Sequence, residues 1–527
     1  MYPPLTLSSL EAQLRARFKE GFLSLKDLPH PSTFKDMQKA TERIVAAIAK
    51  REKITIIGDY DVDGVTATTI MKLFFNEIAY PVEWIIPNRF TDGYGLSSTI
   101  ISRIQGTDLA ITVDNGIAAV EAASLCKDAG IELIVTDHHI PASELPHAYA
   151  IIDQKQSACT FPYAEVCGAQ IAWYLIASLK NALEIKINMM PYMALAAIAI
   201  IADVMPLQHI NRAMVIAGIE ALSKSRQPAI RAYMEYRERE TISAEDIAFG
   251  LAPLLNAAGR MEDASHAVAF LSSTNIYDAR VRLEKLIAFN TLRKATEEEI
   301  TQKALQNAES EAPVILVSGK GWHEGVVGIV AARIARVFEK PCIVLSENEK
   351  GILKGSGRSY GTYDLFSIVN GCRRHLEKFG GHKAAIGLSL HRSSLEAFRE
   401  DLLGGNAWCE ASEVCSDPEI VGRLDFSQIT FALTEMMRRY EPYGEGNTRP
   451  KFITSEVEIL QAEKMGKEGE HLRFSFMQKG TVMAGVKFKT QASFVPGERV
   501  TISYTVNENH FRGSVTLQLM VDKIEGS

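Results

Sequence analysis

The stretch Lys53–Gly64, KITIIGDYDVDG, decides how the first third of the chain is read. Its opening run, Lys53–Ile57, has the β-branched composition of a buried strand. After GDYDVDG the chain continues as VTATTIMKLFFNEI, an amphipathic helix. The same pattern repeats outward from there. Val82–Ile86 (VEWII) and Leu109–Val113 (LAITV) are further strands. The second of these is followed by Asp114-Asn115-Gly116 and by a helix, AAVEAASLCKDAG, that stops at Gly130. Glu132–Thr136 (ELIVT) runs into Asp137-His138-His139, and Ala148–Asp153 (AYAIID) is a fifth strand. Strands alternating with helices specify an α/β fold with a parallel sheet covered on both faces.

In an open parallel sheet, ligands bind at the carboxyl ends of the strands. Here the first strand ends in Asp59, Asp61 and Asp63, the second in Asp114, and the third in Asp137, His138 and His139. Asp203 closes a fourth apolar segment, Met193–Leu207. A lone Asp after a strand is ordinarily a helix N-cap. That role explains one carboxylate per loop, but not three at alternate positions ahead of Gly64, nor two adjacent histidines. Six carboxylates on one rim would repel one another and push several pKa values upward. Two divalent ions would offset that charge, and mixed carboxylate and imidazole donors suit Mn2+, with Mg2+ as a substitute. Two ions about 3.5–4 Å apart activate a water and stabilise phosphate oxygens. The expected reaction is hydrolysis of a phosphodiester or phosphoanhydride.

GDYDVDG, VDNG, VTDHH and IADVMPL resemble, in order, the four motifs of the DHH phosphoesterase superfamily. The resemblance implies metal ligation by Asp59, Asp61, Asp63, Asp114, His138 and Asp203, with two ions per active site. It implies that His139 contacts the scissile phosphate, and that Asp137 either ligates or orients the histidines. The Asp-x-Asp-x-Asp form of the first motif is similar to the nuclease branch of the superfamily, the RecJ-type exonucleases.

Downstream, GWHEGVVGIVAARIA, KGSGRS (Lys354–Ser359) and GGHKAAIG resemble the DHHA1 domain that accompanies DHH domains. HEGVV is not a zinc-protease HExxH, because Val327 stands where the second histidine would be. Ser356, Arg358 and His382 are candidate phosphate contacts. LNAAGRMEDA resembles the RecJ pattern between the two domains and offers Arg260; PNRFTDGYG offers Arg89. Asp278–Ser310 lacks Pro and Gly and reads as one long helix, a spacer. From about Gly422, five alternating segments suggest a small β-barrel, similar to the OB-type domain of RecJ enzymes. Arg473, Phe474, Phe476, Lys487, Phe488, Lys489, Phe511 and Arg512 supply the aromatic and basic residues of a single-strand platform. Alternation places about half of the aromatics in the core.

The expected organisation is an N-terminal extension (1–50), a DHH catalytic domain (51–225), a helical linker (226–311), a DHHA1 domain (312–405) and an OB-like nucleic-acid-binding domain (415–527). Net charge is -7 over 527 residues, with no signal peptide and no span long enough for a bilayer, so a cytoplasmic protein is expected. Seven scattered cysteines without a CxxC pair argue against a zinc ribbon or redox dithiol. The resemblance implies a 5′→3′ exonuclease on single-stranded DNA, releasing nucleoside 5′-monophosphates in recombination and repair. It also implies single-strand binding protein and helicases as partners. Two rivals stand beside it: a phosphatase of very short oligonucleotides, and a degenerate DHH protein that only binds DNA.

Overall fold

The computed structural model describes residues 2–404, 408, 419–466, 469–490, 492–511 and 513–526, with Phe511 described in its backbone alone. The described residues form two compact units. One takes in His30–Asp203 and Ala221–Val414; the other takes in Met1–Pro29, Val204–Glu220 and Cys415–Ser527.

The larger unit contains two sheets. The first is built from β1 (Ile54–Ile57), β2 (Glu83–Ile85), β3 (Leu109–Val113), β4 (Glu132–Thr136) and β5 (Ala150–Ile152). Their order is β2-β1-β3-β4-β5, and every pairing is parallel. β1, β3 and β5 are buried at every position, as strands covered on both faces must be. The helix Val62–Glu77 follows β1 directly and packs against the helices Gly168–Ala182 and Met190–Ala202. Met190–Ala202 is apolar nearly all round, so it is an internal helix rather than a surface one.

The second sheet comprises β6 (Ile315–Lys320), β7 (Cys342–Glu347), β8 (Ile352–Arg358), β9 (Lys378–His382) and β10 (Ala385–His391), in the order β6-β7-β8-β10-β9. Only β6 and β7 run parallel. The long helix spans Ile276–Gln306; Asn275 caps its start by accepting the Asp278 N–H at 2.9 Å. It is more than a spacer. It packs against the helices Pro228–Tyr236 and Ala252–Met261, and also against Val327–Phe338 and β6.

The smaller unit is the barrel. β11 (Ile420–Arg423), β12 (Lys451–Met465), β13 (His471–Gln478), β14 (Thr481–Lys487), β15 (Arg499–Phe511) and β16 (Ser514–Gly526) pair in the order β11-β12-β13-β14-β16-β15. The β12–β15 pairing closes five of them into a ring. β11 is a sixth, short strand beyond the five read from the sequence. Leu10 and Leu14 of the N-terminal helix Leu7–Ala16, with Leu5 and Phe18, share the barrel's apolar core. The segment 204–220 is also part of this unit. Leu207 N–H donates to Glu445 O at 2.7 Å, Gln208 Nε2 to Gly446 O at 2.7 Å, and Arg212 Nη2 to Glu441 O at 2.6 Å.

Candidate metal centre

β1, β3 and β4 lie side by side in register, so the residues that follow them meet on one rim. Asp61 caps the helix Val62–Glu77, its Oδ1 accepting Gly64 N–H at 3.1 Å. The N-cap role therefore exists at this loop, and it occupies one oxygen of one carboxylate. Asp63, in the first turn, is held by a second helix. Its two oxygens accept Gly168 N–H at 2.6 Å and Ala169 N–H at 2.8 Å, the first donors of Gly168–Ala182. Asp114 sits at φ 64°, a left-handed conformation that costs a non-glycine residue energy and concentrates at functional sites.

These loops bring the sequence candidates together. Ligand atoms of Asp59, Asp61 and Asp114 lie within 4.8 Å of one another, as do those of Asp63, His138 and Asp203, and those of Asp114, His138 and His139. His138 Nε2 is 3.2 Å from Asp114, 3.7 Å from Asp63 and 3.7 Å from Asp203. Two donor sets thus share a boundary at Asp114.

The donors fit a pair of cations. Asp59 Oδ1, both oxygens of Asp114, His138 Nδ1 and Asp203 Oδ2 are buried without a hydrogen-bond partner. Such atoms cost stability unless something else satisfies them. Burial first, then the neighbouring carboxylates, raise the pKa values of Asp59, Asp61 and Asp114; Asp203 is pushed up to about 8 for the same reasons. Burial lowers that of His138, leaving a neutral imidazole, the form that binds metal. Oxygen-rich sets with one imidazole suit Mn2+ or Mg2+.

Asp137 is arranged differently. Its Oδ1 accepts His138 N–H at 2.8 Å and His139 Nδ1 at 2.7 Å, and its Oδ2 accepts Ile117 N–H at 2.9 Å. Those bonds outweigh burial and hold its carboxyl below the usual range. Asp137 falls in none of the three donor groups; its geometry is that of a residue orienting His139. Burial opposes protonation of His139, but the bond to Asp137 and the nearby carboxylates raise its pKa to about 9. Its Nε2 lies 3.5 Å from the Tyr94 hydroxyl.

Beside the acidic group is a cationic one. The Arg89 guanidinium lies 4.2 Å from the centroid of the Tyr60 ring. Burial and the charges of Arg89, Arg293 and Arg358 lower Arg260 to about 10. Arg358 Nη1 donates to Ser356 Oγ at 2.6 Å. None of Arg89, Arg260 or Arg358 forms an ion pair among the described residues. His382 is exposed on β9; it aligns with Ala385 on β10, which aligns with Arg358 on β8. No contact joins it to the acidic group.

Two glycines weld these parts together. A Cβ on Gly259 would stand 2.5 Å from Tyr60 O, and one on Gly325 would strike Arg260 O. Sequence reasoning missed both, along with Tyr60, Tyr94 and the Gly168–Ala169 donors. Tyr94 lies five residues after Arg89 in a stretch already singled out. The glycines carry no local signal, because the contacts that need them come from distant segments.

In the barrel, Phe474 and Phe476 are core residues, whereas Phe488 is half exposed, 4.9 Å from the His471 ring. Arg473 and Lys489 are exposed, and Lys487 is partly so. Arg512 and the Phe511 side chain lie outside the described residues.

Residues 53–200 match the DHH family, N-terminal domain. Residues 311–404 match the DHHA1 domain, and residues 420–523 the RecJ OB domain. The chain is 32% identical to the single-stranded-DNA-specific exonuclease RecJ of Dickeya dadantii, over 99% of this chain and 96% of that one. Against the Bacillus subtilis enzyme of the same name it is 33% identical over 95% of its own length, spanning 65% of that relative. The chain belongs to the RecJ family. The crystal structure of RecJ in complex with Mn2+ from Thermus thermophilus superposes with a TM-score of 0.79 at 27% identity, covering 94% of this chain and 72% of that one. The Mg2+ complex gives 0.75 at 26% identity, covering 94% and 70%. Among the described residues, no helix is long and apolar enough to cross a membrane.

Proposed function

We propose that this chain is a single-strand-specific exodeoxyribonuclease that works from the 5′ end and releases nucleoside 5′-monophosphates. One observation carries the reading: two metal-donor sets meeting at Asp114 share a unit with three arginines, Arg89, Arg260 and Arg358, that form no ion pair among the described residues. Divalent cations would supply what the acidic group lacks, and an anionic strand what the arginines lack.

Asp59, Asp61 and Asp114 would hold one ion, and Asp63, His138 and Asp203 the other. When bound, Mn2+ or Mg2+ supplies an activated water and offsets charge on the phosphoryl oxygens. His139, with Nδ1 committed to Asp137, presents Nε2 as a donor to a phosphate oxygen. Arg89, Arg260, Ser356 and Arg358 grip the strand by charge-assisted bonds. His382 extends that row along the sheet. On the barrel, Phe488 offers a base-stacking face flanked by Lys487 and Lys489. On this reading the protein works in the cytoplasm in recombination and repair, where helicases and single-strand binding protein supply its substrate.

The test is digestion of end-labelled single and double strands with Mn2+ and with Mg2+. The expected result is mononucleotide release from the 5′ end of single strands, with duplex spared. Equal attack on duplex, or a clear preference for a dinucleotide over a long strand, overturns the reading.

A further inference from the structure

His323, the histidine of HEGVV, has no part in the mechanism above, yet its surroundings give it one. It opens a turn, closed by Val326 N–H donating to His323 O at 3.1 Å, that leads into the helix Val327–Phe338. Its Nδ1 accepts Gly325 N–H at 3.1 Å. A neutral ring so engaged carries its hydrogen on Nε2. Burial lowers the pKa of the ring, which keeps it neutral near pH 7. The ring meets Phe90 edge-on, centroids 5.5 Å apart and planes at 86°, and Phe90 directly follows Arg89. Gly325 O accepts Arg260 Nη1 at 3.3 Å. Gly328, in the next helical turn, faces Arg358 and Ser356: a Cβ there would stand 2.9 Å from Arg358 Nη2. The turn is therefore packed among the cationic residues, with His323 partly exposed and its Nε2 without a partner among the described residues.

We infer that His323 is a substrate-binding residue whose Nε2–H donates to a non-bridging oxygen of the phosphate gripped by Arg260 and Arg358. The inference rests on the strand-binding reading above and adds a neutral donor to a charged site. Two consequences separate it from a packing role. A donor at the same reach should substitute for it, and Gln offers an amide N–H there. Because the ring is uncharged, removing it leaves the counterion count unchanged.

The experiment uses the full chain, a 5′-phosphorylated single strand of about 12 nucleotides, and Ca2+ to hold the centre without turnover; anisotropy reads the Kd across a salt series. H323A should weaken binding roughly tenfold, the loss of one good hydrogen bond, and H323Q should recover most of it. The slope of log K against log salt should be the same as wild type in both. R358A should flatten that slope by about 0.7, the share of one phosphate contact on a single strand. If H323A melts early, H323F keeps the ring against Phe90 and removes the donor. Wild-type affinity in the donor-less variant, or a Gln variant no better than Ala, overturns the inference. A wild-type protein that binds the strand but does not shorten it with Mn2+ sinks the exonuclease reading and leaves the binding comparison standing.

Discussion

In the metal centre, Asp59, Asp114, His138 and Asp203 each leave a buried polar atom unpaired. In the barrel core, the Tyr504 hydroxyl meets Thr454 Oγ1 at 2.7 Å, and Thr454 donates onward to Leu424 O at 2.5 Å. Asn447 Nδ2 likewise donates to Tyr440 O at 2.7 Å and Pro442 O at 2.9 Å. Both regions bury polar groups, but one completes its bonds within the protein and the other does not. Complete pairing makes a scaffold; incomplete pairing among like charges makes a receptor for something of opposite charge.

The largest effect should come from Asp114, where the two donor sets meet. Asp114→Asn should lower the turnover of a single strand at least about a thousandfold, as loss of transition-state charge stabilisation does. The same variant should melt above wild type in EDTA, because it removes one repelling charge. Added Mn2+ should raise the wild-type melting temperature and move the variant much less. A variant that melts lower in EDTA would break the contrast, since Asp114 would then be an ordinary structural carboxylate.

Gly259→Ala should come next. Its Cβ would press on the Tyr60 carbonyl, and overpacking of that kind costs about 1–3 kcal/mol. Activity should fall with stability, because Tyr60 lies between Asp59 and Asp61. Calorimetry and a turnover assay on one preparation check both. Phe488→Ala should weaken binding of a long strand by roughly 1–3 kcal/mol, the worth of one stacked base, with turnover of a dinucleotide unchanged. The smallest effect belongs to Tyr504→Phe. It should cost about 1 kcal/mol in denaturant unfolding and leave turnover alone, because Thr454 keeps its bond to Leu424. A loss of several kcal/mol would mean that the barrel's pairing is a cooperative network.

The acidic cluster was legible because it is written at strand ends. Short β-branched runs place their last residues on one rim, and the Asp-x-Asp-x-Asp and Asp-His-His patterns exceed what capping requires. The long helix and the barrel were legible from periodicity, which also predicted that some aromatics of HLRFSF would be core. Three features were not. Asp63 is held by Gly168 and Ala169, over a hundred positions away, and no local pattern encodes that pairing. Asp137 accepts bonds from Ile117, His138 and His139, a set of partners that suits an orienter and that the sequence does not display. The close approaches at Gly259 and Gly325 depend on which backbone passes overhead, which single-residue types do not announce.

The smaller unit gathers its parts from both ends of the chain and from the middle. Leu207, Ile210 and Met214 are buried in the stretch 204–220, while Asp203, immediately before it, is a metal-donor candidate of the other unit. Gene fusion and loss move contiguous blocks. A contiguous block that carries the barrel strands leaves behind Leu5, Leu10, Leu14 and the bonds of Leu207, Gln208 and Arg212, and a block that stops short of the barrel strips those residues of their cover. Cutting the chain ahead of the barrel is therefore no clean excision, because the residues that follow Asp203 would need new partners as well.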